Sequence, residues 1–377
     1  MKTKVLILGA GFGGLELSAR LSEALPNDVE VTLIDKAEGF VFGFSKFELM
    51  LGRAGLSDVR MLYKDIVKPG VRFHQELITS IDPKTRRVVT DRGTYDADVL
   101  VVALGADYDI KATPGFAEGG SEFYSVEGAL KLRQILPTFK KGSVVIGVLG
   151  TPFKCPPAPS EAAMLLDEWF TARGVRRDIK ISVVLPFGIP VPVSMPASQA
   201  ILDRFAARKI DFVPEQIITG LDPAKKTAAL YDGNVIKYDL FLGIPVHRVP
   251  AVVEASGLAV NDWIPVNKAN LATRYPGVYA VGDVTSAPAP KAGIFAESAA
   301  RAVAEHLIVQ IRKSGKATPY DGAGACYIQF DEHSVGRVDA NFLSGPSVTG
   351  PYTAASPMGL EQKKEFAATR RQRWFGK

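Results

Sequence analysis

Lys154-Cys155-Pro156-Pro157-Ala158-Pro159-Ser160-Glu161 puts a thiol on a loop stiffened by prolines, just ahead of a predicted helix. Proline fixes its own backbone angle and supplies no N–H. A helix N-terminus and an adjacent ammonium, here Lys154, both favour thiolate over thiol. Cys155 therefore reads as a redox or nucleophilic centre, against the blander fate of a small buried hydrophobe. The other cysteine is Cys326. Two cysteines build neither a disulfide framework nor a four-thiolate metal site. Glu161, read alone, is a first-turn acid favoured by the helix dipole. His74, His247, His306 and His333 lack metal-ligand spacing, so no metal site is expected.

A second constellation binds phosphate rather than reacting. Gly9, Gly11 and Gly14 form G-x-G-x-x-G, and Asp35 follows Gly14 by 21 residues. In this pattern the first glycine makes a tight turn and the second lets backbone approach a pyrophosphate. The third lets helix pack on strand, and the acid accepts hydrogen bonds from a ribose. The elements that must position these residues are legible. Val5-Leu6-Ile7-Leu8 reads as a strand buried on both faces. Leu17, Leu21 and Leu25 recur at helical spacing, and Val29 to Ile34 reads as the next strand. A second strand–turn–helix unit begins at Ser143-Val144-Val145-Ile146, with its helix over about Ser160 to Phe170. A long helix is expected from Ala296 to Ile311, and two short strand-like runs after Thr318.

Alternating strands and helices imply an α/β fold with mainly parallel sheets. The 377 residues allow two or three domains, and ordinary hydrophobic (47%) and charged (23%) fractions argue against disorder. Scattered basic residues and a net charge of +5 do not point to nucleic acid. No apolar run reaches the roughly 18 residues of a spanning helix. No signal core precedes the glycine loop, so a cytoplasmic location is expected.

Two further segments carry a resemblance. Thr94 to Ala106, with Gly105, resembles the segment closing the FAD domain of two-dinucleotide flavoproteins. Tyr275-Pro276-Gly277-Val278-Tyr279-Ala280-Val281-Gly282-Asp283 resembles their second FAD signature. The resemblance gives Asp283 the ribityl chain. It also places the helix opening, with Lys291, Gly293 and Ile294, beside the flavin ring. The second unit departs from NADH-using members. After Gly147-Val148-Leu149-Gly150 come four prolines and Cys155 in place of flexible glycines, which argues against NADH as donor.

The cysteine–proline loop, Gly324-Ala325-Cys326-Tyr327-Ile328 and Gly336 to Pro346 resemble the sulfide:quinone oxidoreductase and flavocytochrome c sulfide dehydrogenase group. The resemblance implies two Rossmann-like dinucleotide-binding domains plus a small C-terminal α+β region. FAD would be held by residues 1–110 and 262–318, with a second domain at 111–261 and a C-terminal region at 319–377. It implies a redox-active Cys155–Cys326 disulfide beside the flavin, with Glu161 at the acid/base position and Cys326 as the flavin-facing thiol. Electrons from sulfide would pass through FAD to a quinone. The alternatives are transfer to cytochrome c, an NADH:quinone oxidoreductase, and a non-catalytic flavin-binding protein. The third cysteine of many quinone-linked members is missing, which favours the flavocytochrome pattern. With no spare cysteine, FAD should be non-covalent.

Phe40, Phe42, Phe44 and Phe47 suit a quinone or flavin wall as well as core. Arg370-Arg371-Gln372-Arg373-Trp374-Phe375 mixes cations with aromatics, as a membrane-surface contact does. A peripheral position on the inner face of the cell membrane follows from that reading. The pattern is also compatible with a homo-oligomer.

Overall fold

The computed structural model describes residues 2–377. The buried apolar run Thr3–Leu8 is the centre of a five-stranded parallel sheet. Its neighbours in order are Val278–Ala280, Val99–Val102, Thr3–Leu8, Val29–Asp35 and Val71–Gln75. Strand Val278–Ala280 thus returns from far along the chain to close the sheet. The helix Phe12–Ala24 follows the glycine loop and buries Leu15, Leu17 and Leu21. No side chain caps its N-terminus, so its first N–H groups stay available.

The second unit is a four-stranded parallel sheet in the order Ile210–Val213, Ile179–Val184, Gly142–Val148, Leu240–Ile244. Its helix spans Ala158–Ala172, and Pro159 sits in the first turn, where a missing N–H costs nothing. The expected long helix spans Gly293–Arg312.

The C-terminal region is more ordered than its composition predicts. Ala323–Gln329, Val335–Asn341 and Tyr352–Ser356 form an antiparallel sheet, with Cys326 opposite Val338. A 19-residue helix, Pro357–Phe375, follows. Ser356 caps it by accepting the Gly359 N–H at 3.2 Å.

This helix corrects the reading of the cationic-aromatic end. Trp374 and Phe375 are each 1% exposed, buried in the core of the first unit. Trp374 donates to Glu16 at 3.1 Å, and Arg373 pairs with the same carboxylate at 2.9 Å. Arg370 pairs with Glu297 at 2.9 Å. Trp374 and Phe375 are thus spent on the core, and Arg370 and Arg373 on internal ion pairs. Among the described residues, no helix is long and apolar enough to cross a membrane.

Candidate active site

One cavity collects most of the residues singled out in the sequence. Gly9, Gly11, Asp35, Gly105, Gly282, Asp283, Gly293 and Ile294 line it, and so do Cys155, Glu161 and Cys326. Two expected contacts fall outside its wall. Gly14 lies beneath the loop, where a Cβ would stand 1.9 Å from the Gly9 carbonyl oxygen, so it serves packing as expected. Lys291 departs from its expected place. Its ammonium donates to the carbonyls of Asp283 at 2.6 Å and Thr285 at 3.2 Å, over the Trp263 ring. Burial lowers its pKa to about 8. Lys291 therefore braces the second flavin motif from behind.

The cavity fits a dinucleotide at the positions that matter. A Cβ on Gly11 or on Gly105 would meet no atom within 4 Å, so backbone there is open to a ligand. Gly9 could not be replaced: its φ is +99°, and a Cβ would lie 2.4 Å from the Ala103 oxygen. Asp35 is less free than its spacing suggests. Its Oδ2 accepts the Ala10 N–H at 2.7 Å and its Oδ1 the Ala37 N–H at 2.8 Å, leaving the remaining lone pairs for a ribose. Asp283 is half-buried, and desolvation raises its carboxyl pKa against the pull of Lys154, Lys291 and Lys46. Among the described residues no protein donor engages that carboxylate.

Cys155 sits in the left-handed region at φ +51°. Its N–H donates to the Lys291 carbonyl at 2.8 Å, and its carbonyl accepts the Ala158 N–H at 2.8 Å. The cysteine loop is thereby tied to the segment that follows Asp283 on one side and to the helix on the other. The expected thiolate support from Lys154 is not present. The Lys154 ammonium donates to the Ala106 carbonyl at 2.8 Å and to the Tyr108 hydroxyl at 3.3 Å. Burial, Glu161 and Cys326 push the Cys155 thiol well up, and the cation that opposes them is Lys363. Burial, with Glu161 and Asp339, pushes Cys326 up to about 12. Both cysteines are free thiols here. Glu161 is 2% exposed and accepts the Gln329 N–H at 2.9 Å, and burial raises its carboxyl.

Sequence reasoning missed Lys46, Tyr108, Tyr124 and Phe366 on the same wall. Lys46 lies within the phenylalanine run, which was weighed only for its aromatics. Of those, Phe40, Phe44 and Phe47 line the cavity, while Phe42 is wholly core.

In the second unit, glycine serves a different purpose. A Cβ on Gly147 would lie 2.7 Å from Ile218, and one on Gly150 3.0 Å from Val246. Both are packing glycines and leave no opening comparable to Gly11.

Two Rossmann-like units sharing one glycine-lined cavity with two thiols define a flavin-type disulfide oxidoreductase architecture. The profile of the pyridine nucleotide-disulphide oxidoreductase family matches residues 3–305, and the chain belongs to that family. It is an oxidoreductase with a flavin cofactor. Among its relatives is the sulfide-quinone reductase of Aquifex aeolicus, 26% identical over 93% of this chain and 85% of that one. The mitochondrial sulfide:quinone oxidoreductase of Dictyostelium discoideum is 24% identical over 86% of this chain and 75% of that one. The crystal structure of the Aquifex aeolicus sulfide:quinone oxidoreductase has the same fold, with a TM-score of 0.89. It is 23% identical and covers all of this chain and 93% of its own. Cys326 and the C-terminal helix lie beyond the family profile.

Asp283→Ala should weaken flavin retention more than Asp35→Ala. Asp283 lies in the cavity with its oxygens uncommitted, whereas Asp35 already spends two hydrogen bonds on its own loops. Loss of one charge-assisted hydrogen bond costs about 1.5–3 kcal/mol. Flavin content after dialysis measures the ranking, and equal occupancy in the two variants would remove its basis.

Proposed function

We propose that this chain oxidises sulfide through a Cys155–Cys326 disulfide, with non-covalent FAD carrying the electrons to a quinone. The observation that carries the reading is that both cysteines and Glu161 line the cavity shaped by the dinucleotide motifs. The relatives' printed activity and the closed glycines of the second unit support it against an NADH-linked reaction.

Hydrosulfide attacks one sulfur of the disulfide. The S–S bond breaks, a new S–S bond forms to the incoming sulfur, and the other cysteine leaves as thiolate. Glu161 is the buried carboxyl that takes the proton of hydrogen sulfide as hydrosulfide forms, so the persulfide keeps its S–H and the leaving thiolate carries the one negative charge. The Cys155 backbone hydrogen bonds hold the loop while bonds to sulfur are exchanged. Bound FAD supplies the two-electron acceptor between the cysteines and the quinone. Phe40, Phe44 and Phe47 provide an apolar wall suited to a quinone ring.

Anaerobic titration with sulfide should bleach the flavin, and rapid mixing with a short-chain quinone should restore its absorbance. Unchanged absorbance on sulfide addition would sink the reading. Reoxidation by cytochrome c alone would replace the quinone as acceptor.

A further inference from the structure

Lys363 is a lysine only 6% exposed, carried by the C-terminal helix. Its ammonium donates to the Gln329 side chain at 2.7 Å and stands 4.9 Å from the centre of the Phe44 ring. A buried ammonium requires a counter-charge. Gln329 points to one, because its own backbone N–H donates to the Glu161 carboxylate at 2.9 Å. A single residue, three positions after Cys326, thus touches both the cation and the acid. Cys155 and Glu161 line the same cavity, and Lys363 is the cation whose charge favours the anionic form of each. The ionisable groups around this cluster include Cys326 and Asp339 on the C-terminal sheet, Tyr124 on the facing loop, and Glu48 near Lys363. Two further cations line the cavity and are spent elsewhere: Lys46 donates to the Tyr124 carbonyl, and Lys154 to the Ala106 carbonyl and the Tyr108 hydroxyl.

We propose that Lys363 is a positioning residue that makes this buried wall a site for one negative charge, shared between Glu161 and Cys155. Two anions cannot both be matched by one ammonium in a medium of low dielectric. When Glu161 is the carboxylate, Cys155 is the thiol. When Cys155 becomes the thiolate, its proton is held by Glu161 as a carboxylic acid. No charge is created or lost, since the S–H bond breaks and the O–H bond forms. During sulfide oxidation the wall keeps its single negative charge when sulfide arrives as neutral hydrogen sulfide: Glu161 takes its proton, the new S–S bond forms, the old one breaks, and the charge moves to the leaving cysteine thiolate. That use rests on the proposed function, but the proton sharing itself does not.

The test needs no sulfide. Flavin-loaded protein carrying Cys326→Ser leaves Cys155 as its sole cysteine. The pH dependence of its alkylation by iodoacetamide reports the thiolate. Adding Lys363→Met should move the midpoint upward and slow alkylation at a fixed pH below it by about tenfold or more, one pKa unit being one factor of ten. Adding Glu161→Gln should move the midpoint downward by a similar amount, and Lys363→Arg should hold it near the parent. A midpoint unmoved by Lys363→Met or by Glu161→Gln overturns the proposal. Should Lys363→Met fail to fold, the near-isosteric Glu161→Gln decides alone. Failure of the sulfide reading looks different: the alkylation pattern stands, while sulfide leaves the flavin of the unmodified protein oxidised.

Discussion

Replacing Cys155 or Cys326 by serine is expected to abolish reduction of the bound flavin by sulfide while flavin stays bound. Serine forms neither a disulfide nor a persulfide, and its alkoxide is inaccessible near neutral pH. Groups acting as a unit lose nearly everything on removal of one member, so each rate should fall by at least about 10³-fold. Neither side chain takes part in the glycine loops, and the Cys155 contacts to Lys291 and Ala158 are made by backbone atoms. Flavin content should therefore survive both changes. Stopped-flow bleaching at 450 nm, an ordinary flavin wavelength, measures the rate, with flavin stoichiometry as the control. Residual reduction within about tenfold of the parent in either variant would return the cysteines to bystanders.

Trp374→Ala is expected to loosen the whole C-terminal helix. The indole packs edge-on against Phe12 and Phe40, with centroids 5.8 and 5.6 Å apart, and donates to the buried Glu16. Truncating a buried tryptophan costs about 3–5 kcal/mol. Glu16 would keep Arg20, Arg301 and Arg373, so the loss is mainly of packing. Phe12 heads the helix of the first glycine loop and lines the flavin cavity, so the damage should reach the cofactor. Flavin fluorescence during heating should rise several degrees earlier than in the parent. Coincident melting curves would show that the tail is not fastened as described.

The glycine-lined half of the cavity was legible because its constraints are local. A glycine forced by a carbonyl 2.4 Å from its missing Cβ leaves a mark at a fixed spacing, and Asp283 closes a recognisable strand. The charge environment of the thiol was not legible. Lys154 neighbours Cys155 in sequence, yet the left-handed turn at Cys155 separates them, and Lys154 is spent on Ala106 and Tyr108. The effective cation is 208 residues further on. Its helix is mostly polar, and no apolar stripe announces it, although Ser356-Pro357 is a recognisable helix start. The final aromatics were misplaced for a related reason. A Trp-Phe pair among arginines has the same composition whether its partner is lipid or a buried glutamate elsewhere in the fold.

The left-handed backbone at Cys155 has a consequence for how this protein trades durability against chemistry. An L-residue with a Cβ gives up roughly 1–2 kcal/mol at such a φ, and glycine does not. Position 155 is therefore one where the most comfortable residue and the most useful one differ. A drifting lineage freed from the need for the thiol would gain stability by moving to glycine there, while serine would keep the cost and lose the function. Under the proposed function, a cysteine in that conformation holds the loop for the direction in which it points sulfur, at the expense of its own rest energy.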